Sequence, residues 1–297
     1  MDKYFNQILN RSINLNNDGC SIEDWEQSFG KSLFAKHPKN FMVFISPEEI
    51  KLSNEYAESD PYTVEENINS DFHRRRIECT LDLIKEANCN SQDKIKILDL
   101  GCGQGHITSA LRQTFPNAEI SGLDYSIAAI EYAVDHFSGI DFAVGNAYDC
   151  PYATNYFDLV ICNNLWEHVP DPLHLLSRIA KILKTDGCII ISTPSRYRLS
   201  NLLNVLRGKP VNFISKHHVT EYSVGQVIEQ LRYGGFGISK IFSKPIKMWS
   251  IKTRVAKSIL SGIVLLFGSH HQLESTVFYL ARRAELTASN VGGVHHD

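Results

Sequence analysis

The chain has 297 residues, 43% of them hydrophobic and 21% charged, and a formal net charge of −3. This composition is typical of a globular protein with a sizeable core, and the small acidic excess argues against a nucleic-acid partner. The seven dispersed cysteines form no C-x-x-C pair, and no apolar run resembles a signal peptide or a membrane span. We therefore predict a cytoplasmic protein without stable membrane insertion.

The predicted elements begin after a polar, Asn-rich segment, residues 1–70, which we interpret as an N-terminal cap or lid. A helix is predicted near residues 71–87 from apolar positions at helical spacing. From residue 94 to 194, strand and helix patterns alternate, from the strand "KIKILDL" to the apolar run "GCIIISTP". Such alternation with short loops predicts an α/β fold with a doubly wound parallel sheet, which binds ligands at the carboxyl ends of its strands.

Beyond the fifth strand, residues 195–222 are too long for a simple connection, so we predict an insertion on the substrate side. A helix and a strand follow, and then an accessory helix over residues 251–268. Its apolar stripe suits packing on the sheet, while its three cations also suit a membrane surface or a lipid-like substrate; these cations are Lys252, Arg254 and Lys257. "STVFYLARRA" is the last predicted strand, and residues 286–297 are a predicted disordered tail.

A glycine-rich loop follows the first strand of the alternating region. Its pattern is G-x-G-x-G, and an acid stands at the end of the strand on either side of it, at Asp99 and Asp124. Dinucleotide-binding loops need a glycine where this chain has His106. An acid ahead of the loop can attract an ammonium group, and an acid about 20 residues further on can bind ribose hydroxyls. The loop therefore favours S-adenosylmethionine over a nicotinamide dinucleotide.

Four motifs occur in the order "ILDLGCGQG", "GLDYS", "GNAYDCPYATNYFDLVICNNLWEHVPDP" and "LKTDGCIIISTP". As a set they resemble class I S-adenosylmethionine-dependent methyltransferases, especially the branch that contains ubiquinone-biosynthesis O-methyltransferases and natural-product enzymes. The resemblance implies a Rossmann-like sheet of seven mostly parallel strands with the last strand antiparallel. It also implies a methyltransferase domain over residues 71–285.

The resemblance further implies which residues bind the cofactor. Asp99 would meet its amino group, Asp124 its ribose hydroxyls, and one of Arg74, Arg75 and Arg76 its carboxylate, although these arginines are as readily explained as a solvated charge run. The implied cofactor-binding residues are Asp99, Gly101, Gly103, Gly105, Asp124, Tyr125, Asn146, Ala147, Asn163 and Arg75.

Methyl transfer from a sulfonium is an in-line displacement, so a base is needed only when the acceptor must lose a proton. The candidate bases are His168, beyond the fourth strand, and His217 and His218 in the insertion. The alternatives are a helix-start or packing role for His168 and an exposed-loop role for the pair. In ubiquinone-type enzymes a further carboxylate joins the Glu-His pair as a metal ligand; here that position is Asn164, and we predict no metal.

These features together predict a methyltransferase that moves a methyl group to a small-molecule acceptor, most readily a hydroxyl oxygen, with lipid-like compounds among the candidates. Nitrogen and carbon acceptors remain alternatives. So do a NAD(P)-dependent oxidoreductase, which the glycine spacing disfavours, and a non-catalytic cofactor-binding module. The sequence predicts neither the acceptor nor the oligomeric state.

Overall fold

The computed structural model describes residues 3–6, 11–12, 35–45, 49, 71–87, 94–244, 255, 258–260, 262, 266 and 273–283. The predicted tail, residues 286–297, and most of the accessory helix, 251–268, lie outside the described residues.

The described elements follow one another in the predicted alternation. The helices are α1 (Asp71–Glu86), α2 (His106–Thr114), α3 (Ile127–His136), α4 (Pro172–Ile182), α5 (Leu199–Leu206) and α6 (Val224–Tyr233). The strands are β1 (Phe5–Asn6), β2 (Arg11–Ser12), β3 (Ala35–Lys36), β4 (Met42–Val43), β5 (Lys96–Leu100), β6 (Glu119–Asp124), β7 (Asp141–Val144), β8 (Phe157–Asn163), β9 (Leu183–Pro194), β10 (Phe236–Phe242) and β11 (Thr276–Arg283).

The main sheet has the strand order β10-β11-β9-β8-β5-β6-β7-β4-β3. Neighbouring strands from β7 to β9 pair in parallel, whereas β11 lies antiparallel between β9 and β10. The seven strands β5 to β11 therefore confirm the predicted Rossmann-like fold with its antiparallel last strand. The strand order reverses between β5 and β8, which is where sheets of this kind bind their ligands.

Two short strands that the sequence did not predict extend this sheet. Strand β4 pairs in parallel with β7, and β3 pairs antiparallel with β4. Phe41, Val43 and Ile45 are buried against Ile130 and Phe142. Residues 35–45 thus contribute to the sheet and its core. Strands of two residues are too short to produce a recognisable alternation in the sequence.

The core lies on both faces of the sheet, and β5 explains how. Ile97 faces a buried cluster with Leu83 of α1 and Leu111 of α2. The next residue, Leu98, faces a second buried cluster, which includes Leu176 of α4. Successive strand residues point to opposite faces, so a sheet covered on both sides requires the continuous apolar runs seen in the sequence.

The accessory helix is represented by residues 255, 258–260, 262 and 266, all of them helical. Val255, Ile259 and Leu266 belong to its predicted apolar stripe, and they are 55%, 60% and 86% exposed. These three side chains of the predicted stripe are therefore exposed, and how the rest of the helix packs lies outside the described residues. Among the described residues, no helix is long and apolar enough to cross a membrane.

Candidate functional site

The predicted cofactor residues lie at the carboxyl ends of four adjacent strands. The glycine loop follows β5, Asp124 and Tyr125 close β6, Asn146 and Ala147 follow β7, and Asn163 ends β8. Because the sheet order is β7-β6-β5-β8, these groups share one edge of the sheet. The parallel pairing thus brings together residues that are up to 64 positions apart in the chain, from Asp99 to Asn163.

The glycine loop is fastened to the neighbouring strand by its backbone. The amides of Gly101 and Cys102 donate to the carbonyl of Leu123 on β6, at 2.8 and 3.1 Å. Gly103 and Gly105 both have positive φ, +53° and +80°, which side chains other than glycine rarely adopt. A Cβ on Gly105 would lie 2.9 Å from the ring of Phe142, whereas a Cβ on Gly103 would meet nothing within 4 Å. Gly105 is therefore required for packing, and Gly103 leaves its backbone open to a ligand.

Asp124 joins this loop to the start of α3. Its Oδ2 accepts the Gly103 amide at 2.7 Å and its Oδ1 accepts the Ser126 amide at 2.9 Å. Burial raises the pKa of this carboxyl, and the amides of Ser126, Gly103 and Tyr125 oppose the rise. Each oxygen retains a lone pair, so the same carboxylate that shapes the loop can also accept ribose hydroxyls.

Asp99 is the buried acid ahead of the loop. Its Oδ2 accepts the hydroxyl of Thr108 on α2 at 2.6 Å, and its side chain is almost fully enclosed. Burial raises its pKa to about 6, against the opposing effects of the Thr108 hydroxyl and Arg76. A carboxylate held in this way is favourable for a cationic ligand, because an ammonium beside it would replace the lost hydration.

The three arginines of α1 separate clearly. Arg74 and Arg75 lie near Glu78 on the exposed side of the helix, Arg75 at 2.8 Å. Arg76 is instead buried, and its Nη2 donates to the carbonyl of Asn163 at 3.3 Å. Of the three arginines, Arg76 and not Arg75 therefore reaches the site edge, because it is the one that lies on the inward face of the helix.

The residues after β7 and at the end of β8 also have structural partners. Asn146 Oδ1 accepts the amide of Tyr148 at 3.0 Å and so caps the short 3-10 turn Ala147–Asp149. The side-chain Nδ2 of Asn163 donates to the hydroxyl of Thr80 on α1 at 3.0 Å. These bonds fix the rim of the site from both sides.

A turn after β8 carries the first candidate base. Residues 166–168 form the turn, so Glu167 and His168 precede α4, which begins only at Pro172. The carbonyl of Glu167 accepts the amides of Val219 and Thr220 at 2.9 and 3.3 Å. This contact brings the predicted insertion, and with it His218, onto the turn.

His168 and His218 consequently pack edge to face, with ring centroids 5.0 Å apart and ring planes at 87°. Burial, together with the nearby His218, lowers the pKa of His168 to about 4, so its imidazole is neutral at physiological pH. His217 lies beside them, and its backbone is hydrogen-bonded to His168. The structure therefore brings all three predicted histidines to one place.

Glu221 is the centre of a buried hydrogen-bond network that holds this arrangement. Its Oε1 is 2.9 Å from Nδ1 of His218 and accepts the Ile214 amide at 2.5 Å, while its Oε2 pairs with Arg198. Burial favours the neutral acid, but His218, Ile214 and Arg198 together outweigh it and lower the pKa of Glu221. The network ties the insertion to the site.

Glu167 is fully buried in the same cluster. Burial raises its pKa, and the Asn164 amide, His218 and Thr193 favour its charged form. Asn164 Nδ2 donates to its Oε1 at 2.9 Å. Sequence reasoning left Arg76 as one of three alternatives and missed Arg198 as a site residue, because only the tertiary contacts distinguish these two from surface charges.

Residues 91–231 match a family described as a methyltransferase domain. Over these residues, the chain is similar to a methyltransferase domain. The match covers the strands β5 to β9 and both histidine-bearing segments, which is the region where the four sequence motifs lie.

Two curated relatives match parts of the chain. One is a malonyl-[acyl-carrier protein] O-methyltransferase of Acetivibrio thermocellus, 32% identical over 40% of this chain and 43% of its own. The other is a ubiquinone biosynthesis O-methyltransferase of Thiobacillus denitrificans, 35% identical over 37% of this chain and 49% of its own. The chain thus aligns with less than half the length of each of these relatives.

A solved structure supports the fold. A putative sarcosine dimethylglycine methyltransferase of Galdieria sulphuraria superposes with a TM-score of 0.51 at 18% identity, over 71% of this chain and 86% of its own. At this identity the likeness concerns the fold of the methyltransferase domain alone.

Proposed function

We propose that this protein transfers the methyl group of S-adenosylmethionine to a hydroxyl oxygen of a small-molecule acceptor. The observation that carries the proposal is the shared edge of four strands in a region that matches a methyltransferase domain, where Asp99, the open backbone at Gly103 and Asp124 lie at or just beyond the carboxyl ends of β5 and β6. An ammonium, a sulfonium and a ribose match these three groups in turn. This cofactor supplies an electrophilic methyl group when bound.

The chain's own residues would hold the methionine end and the ribose at fixed positions. Asp99 would pair with the ammonium, and the buried guanidinium of Arg76, beside the end of β8, would face the carboxylate. Asp124 would accept hydrogen bonds from the ribose, and Tyr125, Asn146 and Ala147 would border the adenine. Fixing both ends in this way converts binding energy into the alignment that an in-line displacement needs.

An oxygen acceptor is supported by the imidazoles next to this edge. His168, whose pKa lies near 4, and the facing His218 can each take a proton from a hydroxyl as the oxygen attacks the methyl group. Glu221 holds His218 through Nδ1, which leaves Nε2 for that role. His217 would act on this side of the site too. Both curated relatives are named O-methyltransferases.

The insertion and the accessory helix would cover the acceptor. Phe213 and Ile214 of the insertion are 38% and 53% exposed, and Val255 and Ile259 are exposed on the accessory helix. Apolar side chains in these positions suit an acceptor with an apolar portion, so lipid-like hydroxy compounds belong in the test panel beside polar ones.

Calorimetry with S-adenosylmethionine and its demethylated product tests the cofactor assignment. We expect one bound molecule per chain and a loss of binding in Asp124→Ala. No binding of either compound, or binding unchanged in Asp124→Ala, would contradict the proposal, as would binding of NAD(P) in its place.

An acceptor panel with labelled methyl donor tests the transfer itself. We expect label to move to a hydroxyl compound and His168→Ala or His218→Ala to lower that rate with cofactor affinity unchanged. Cofactor binding without transfer to any acceptor class would instead favour a non-catalytic binding module.

A further inference from the structure

Glu49 lies at the rim of the cofactor edge, within the segment that the sequence predicts as a cap or lid. Its Oε1 is 3.5 Å from Nδ2 of Asn146, which follows β7. Glu49 is half-buried, and its negative charge adds to the effect of burial in raising the pKa of Tyr125. Glu49 therefore stands beside two of the residues that would border the adenine.

The sheet brings the chain to this position. Strand β4 pairs in parallel with β7, with Val43 beside Val144. One residue further on, the Phe44 amide donates to the Val144 carbonyl at 2.8 Å, and Ile45 is buried. Because parallel strands end at the same edge of a sheet, the carboxyl end of β4 extends the cofactor edge. Glu49 follows the last residue of β4 by six positions.

The side chain of Asn146 presents its donor to this rim. Its Oδ1 accepts the amide of Tyr148 at 3.0 Å and is thereby directed into the 3-10 turn. This bond settles which end of the amide is oxygen, so the atom that faces Glu49 is the N–H donor Nδ2. A carboxylate has about four lone-pair sites, so Glu49 can accept hydrogen bonds besides the one from Asn146. The rim thus offers one donor and one acceptor side by side.

The contact with Asn146 is not needed to hold residues 35–45, because they have other attachments. Phe41 and Val43 are buried in the core, and Lys39 pairs with Asp135 of α3 at 2.8 Å. Beside these, a 3.5 Å contact between two partly exposed side chains adds little to stability. The attachment of the segment therefore does not account for an acid at this point of the rim.

Adenine presents the complementary pair of groups. Its C6 amine donates, and the ring nitrogens beside that position accept. One asparagine commonly binds this pair with both ends of its amide; here Oδ1 of Asn146 is engaged by Tyr148, and the carboxylate of Glu49 supplies an acceptor in its place. On the basis of the proposed cofactor, we infer that Glu49 accepts the C6 amine of its adenine while Asn146 Nδ2 donates to a neighbouring ring nitrogen.

This pair would make the protein selective for adenine over hypoxanthine. Hypoxanthine carries a carbonyl oxygen at C6, so an acceptor would face the carboxylate and neither group could donate. A site built to receive an N–H donor rejects the analogue that lacks it, because its own polar group is left unpaired. A side chain that only held the rim together would affect both purines equally, so the ratio of the two affinities distinguishes the roles.

The experiment is calorimetry of the full-length chain with S-adenosylhomocysteine, the demethylated cofactor, and with S-inosylhomocysteine, which differs only in the purine. We expect the wild type to bind the adenine compound about 10–100-fold more tightly. Glu49→Ala should weaken binding of the adenine compound by a similar factor and bring the ratio close to one. The amide in Glu49→Gln can accept from an amine or donate to a carbonyl, so this variant should bind both compounds with similar affinity.

The control is Asp135→Ala, which breaks the ion pair with Lys39 and so loosens the same segment near the end of α3. It should leave the ratio of the two affinities at the wild-type value. A wild type without selectivity, or a ratio unchanged in both Glu49 variants, would overturn the inference and leave the cofactor assignment intact. Failure of the wild type to bind either compound would overturn both. Circular dichroism shows that each variant is folded.

Discussion

The carboxylate of Asp124 at the end of β6 accepts the amide of Gly103, 21 positions earlier in the chain, at 2.7 Å. A residue expected to contact ribose therefore also shapes the loop on which the rest of the cofactor would lie. The loop and the acid form one unit, so substitutions at either are expected to act on both backbone and ligand. The two effects can be separated within the loop.

Gly103 and Gly105 provide that separation. Gly105→Ala should destabilise the fold by about 2–5 kcal/mol, because it combines a left-handed backbone with a clash against Phe142. Gly103→Ala meets no neighbour, so it should cost only about 1 kcal/mol, yet place a methyl group where the cofactor would approach. Urea denaturation and calorimetry with the demethylated cofactor measure the two effects.

Gly235→Ala is the matched control for Gly103→Ala. It has φ +81° and nothing within 4 Å of the added Cβ, and it lies after α6. Its stability loss should match that of Gly103→Ala while cofactor affinity is retained. Equal affinity in both variants would show that Gly103 does not face the ligand.

The raised pKa of Asp99 predicts a pH dependence of cofactor binding. An ammonium favours the ionised carboxyl, and with a pKa of about 6 only about one tenth of the free protein is ionised at pH 5. Affinity should therefore fall about 10-fold from pH 7 to pH 5. Titration calorimetry across this range measures it.

Thr108→Val sharpens the same prediction. The Thr108 hydroxyl lowers the pKa of Asp99, so its removal should move the midpoint of the pH dependence upward. Asp99→Asn should abolish the dependence and weaken binding at pH 7. A midpoint unmoved in Thr108→Val would assign the pH dependence to another group.

Removing one partner of the buried ion pair between Arg198 and Glu221 should lower the free energy of unfolding substantially. Glu221→Ala leaves a buried guanidinium uncompensated, and it removes the acceptor for the Ile214 amide and for His218. We expect a loss of about 3–5 kcal/mol in the free energy of unfolding. Urea denaturation measures it.

Glu229→Ala is the comparison for this pair. It breaks an ion pair with Arg232 in which both side chains are largely exposed, so the expected change is within about 0.5 kcal/mol. Similar losses in the two variants would mean that the Glu221 network does not organise the insertion.

The lowered pKa of His73 on α1 predicts that the protein loses stability in acid. Burial and the nearby Arg76 lower its pKa to about 4, below the unfolded value of about 6.5. The unfolded chain therefore binds the proton more readily, and the stabilising effect of the neutral ring is lost as the pH falls from about 6.5 to 4. Urea midpoints at pH 7.5 and 5 should differ less in His73→Asn than in the wild type. An equal difference would contradict the assignment.

The sequence predicted the sheet because its strands are long, apolar and regularly spaced by helices, as the run from Lys96 to Pro194 illustrates. It also predicted the cofactor edge, since strand ends in a parallel sheet meet. It could not predict that Met42 and Val43 join the sheet, because two residues carry no periodicity.

The acceptor side was predictable only as a set of separate histidines. That His218 reaches His168 depends on two backbone bonds to Glu167, and no spacing within residues 195–222 encodes them. Whether Arg75 or Arg76 reaches the site likewise depends on how α1 is rotated about its own axis. The interrupted apolar pattern of this helix does not determine that rotation.

The antiparallel insertion of β11 between β9 and β10 has a consequence for synthesis. On the ribosome, β10 emerges before β11, yet it has no partner in the described sheet other than β11. The edge of β9 that pairs with β11 must remain without its partner strand until residue 283 has been made. Such an unpaired strand edge readily binds another chain. The cofactor half of the sheet can form early, whereas the half that carries the insertion must wait for the last strand.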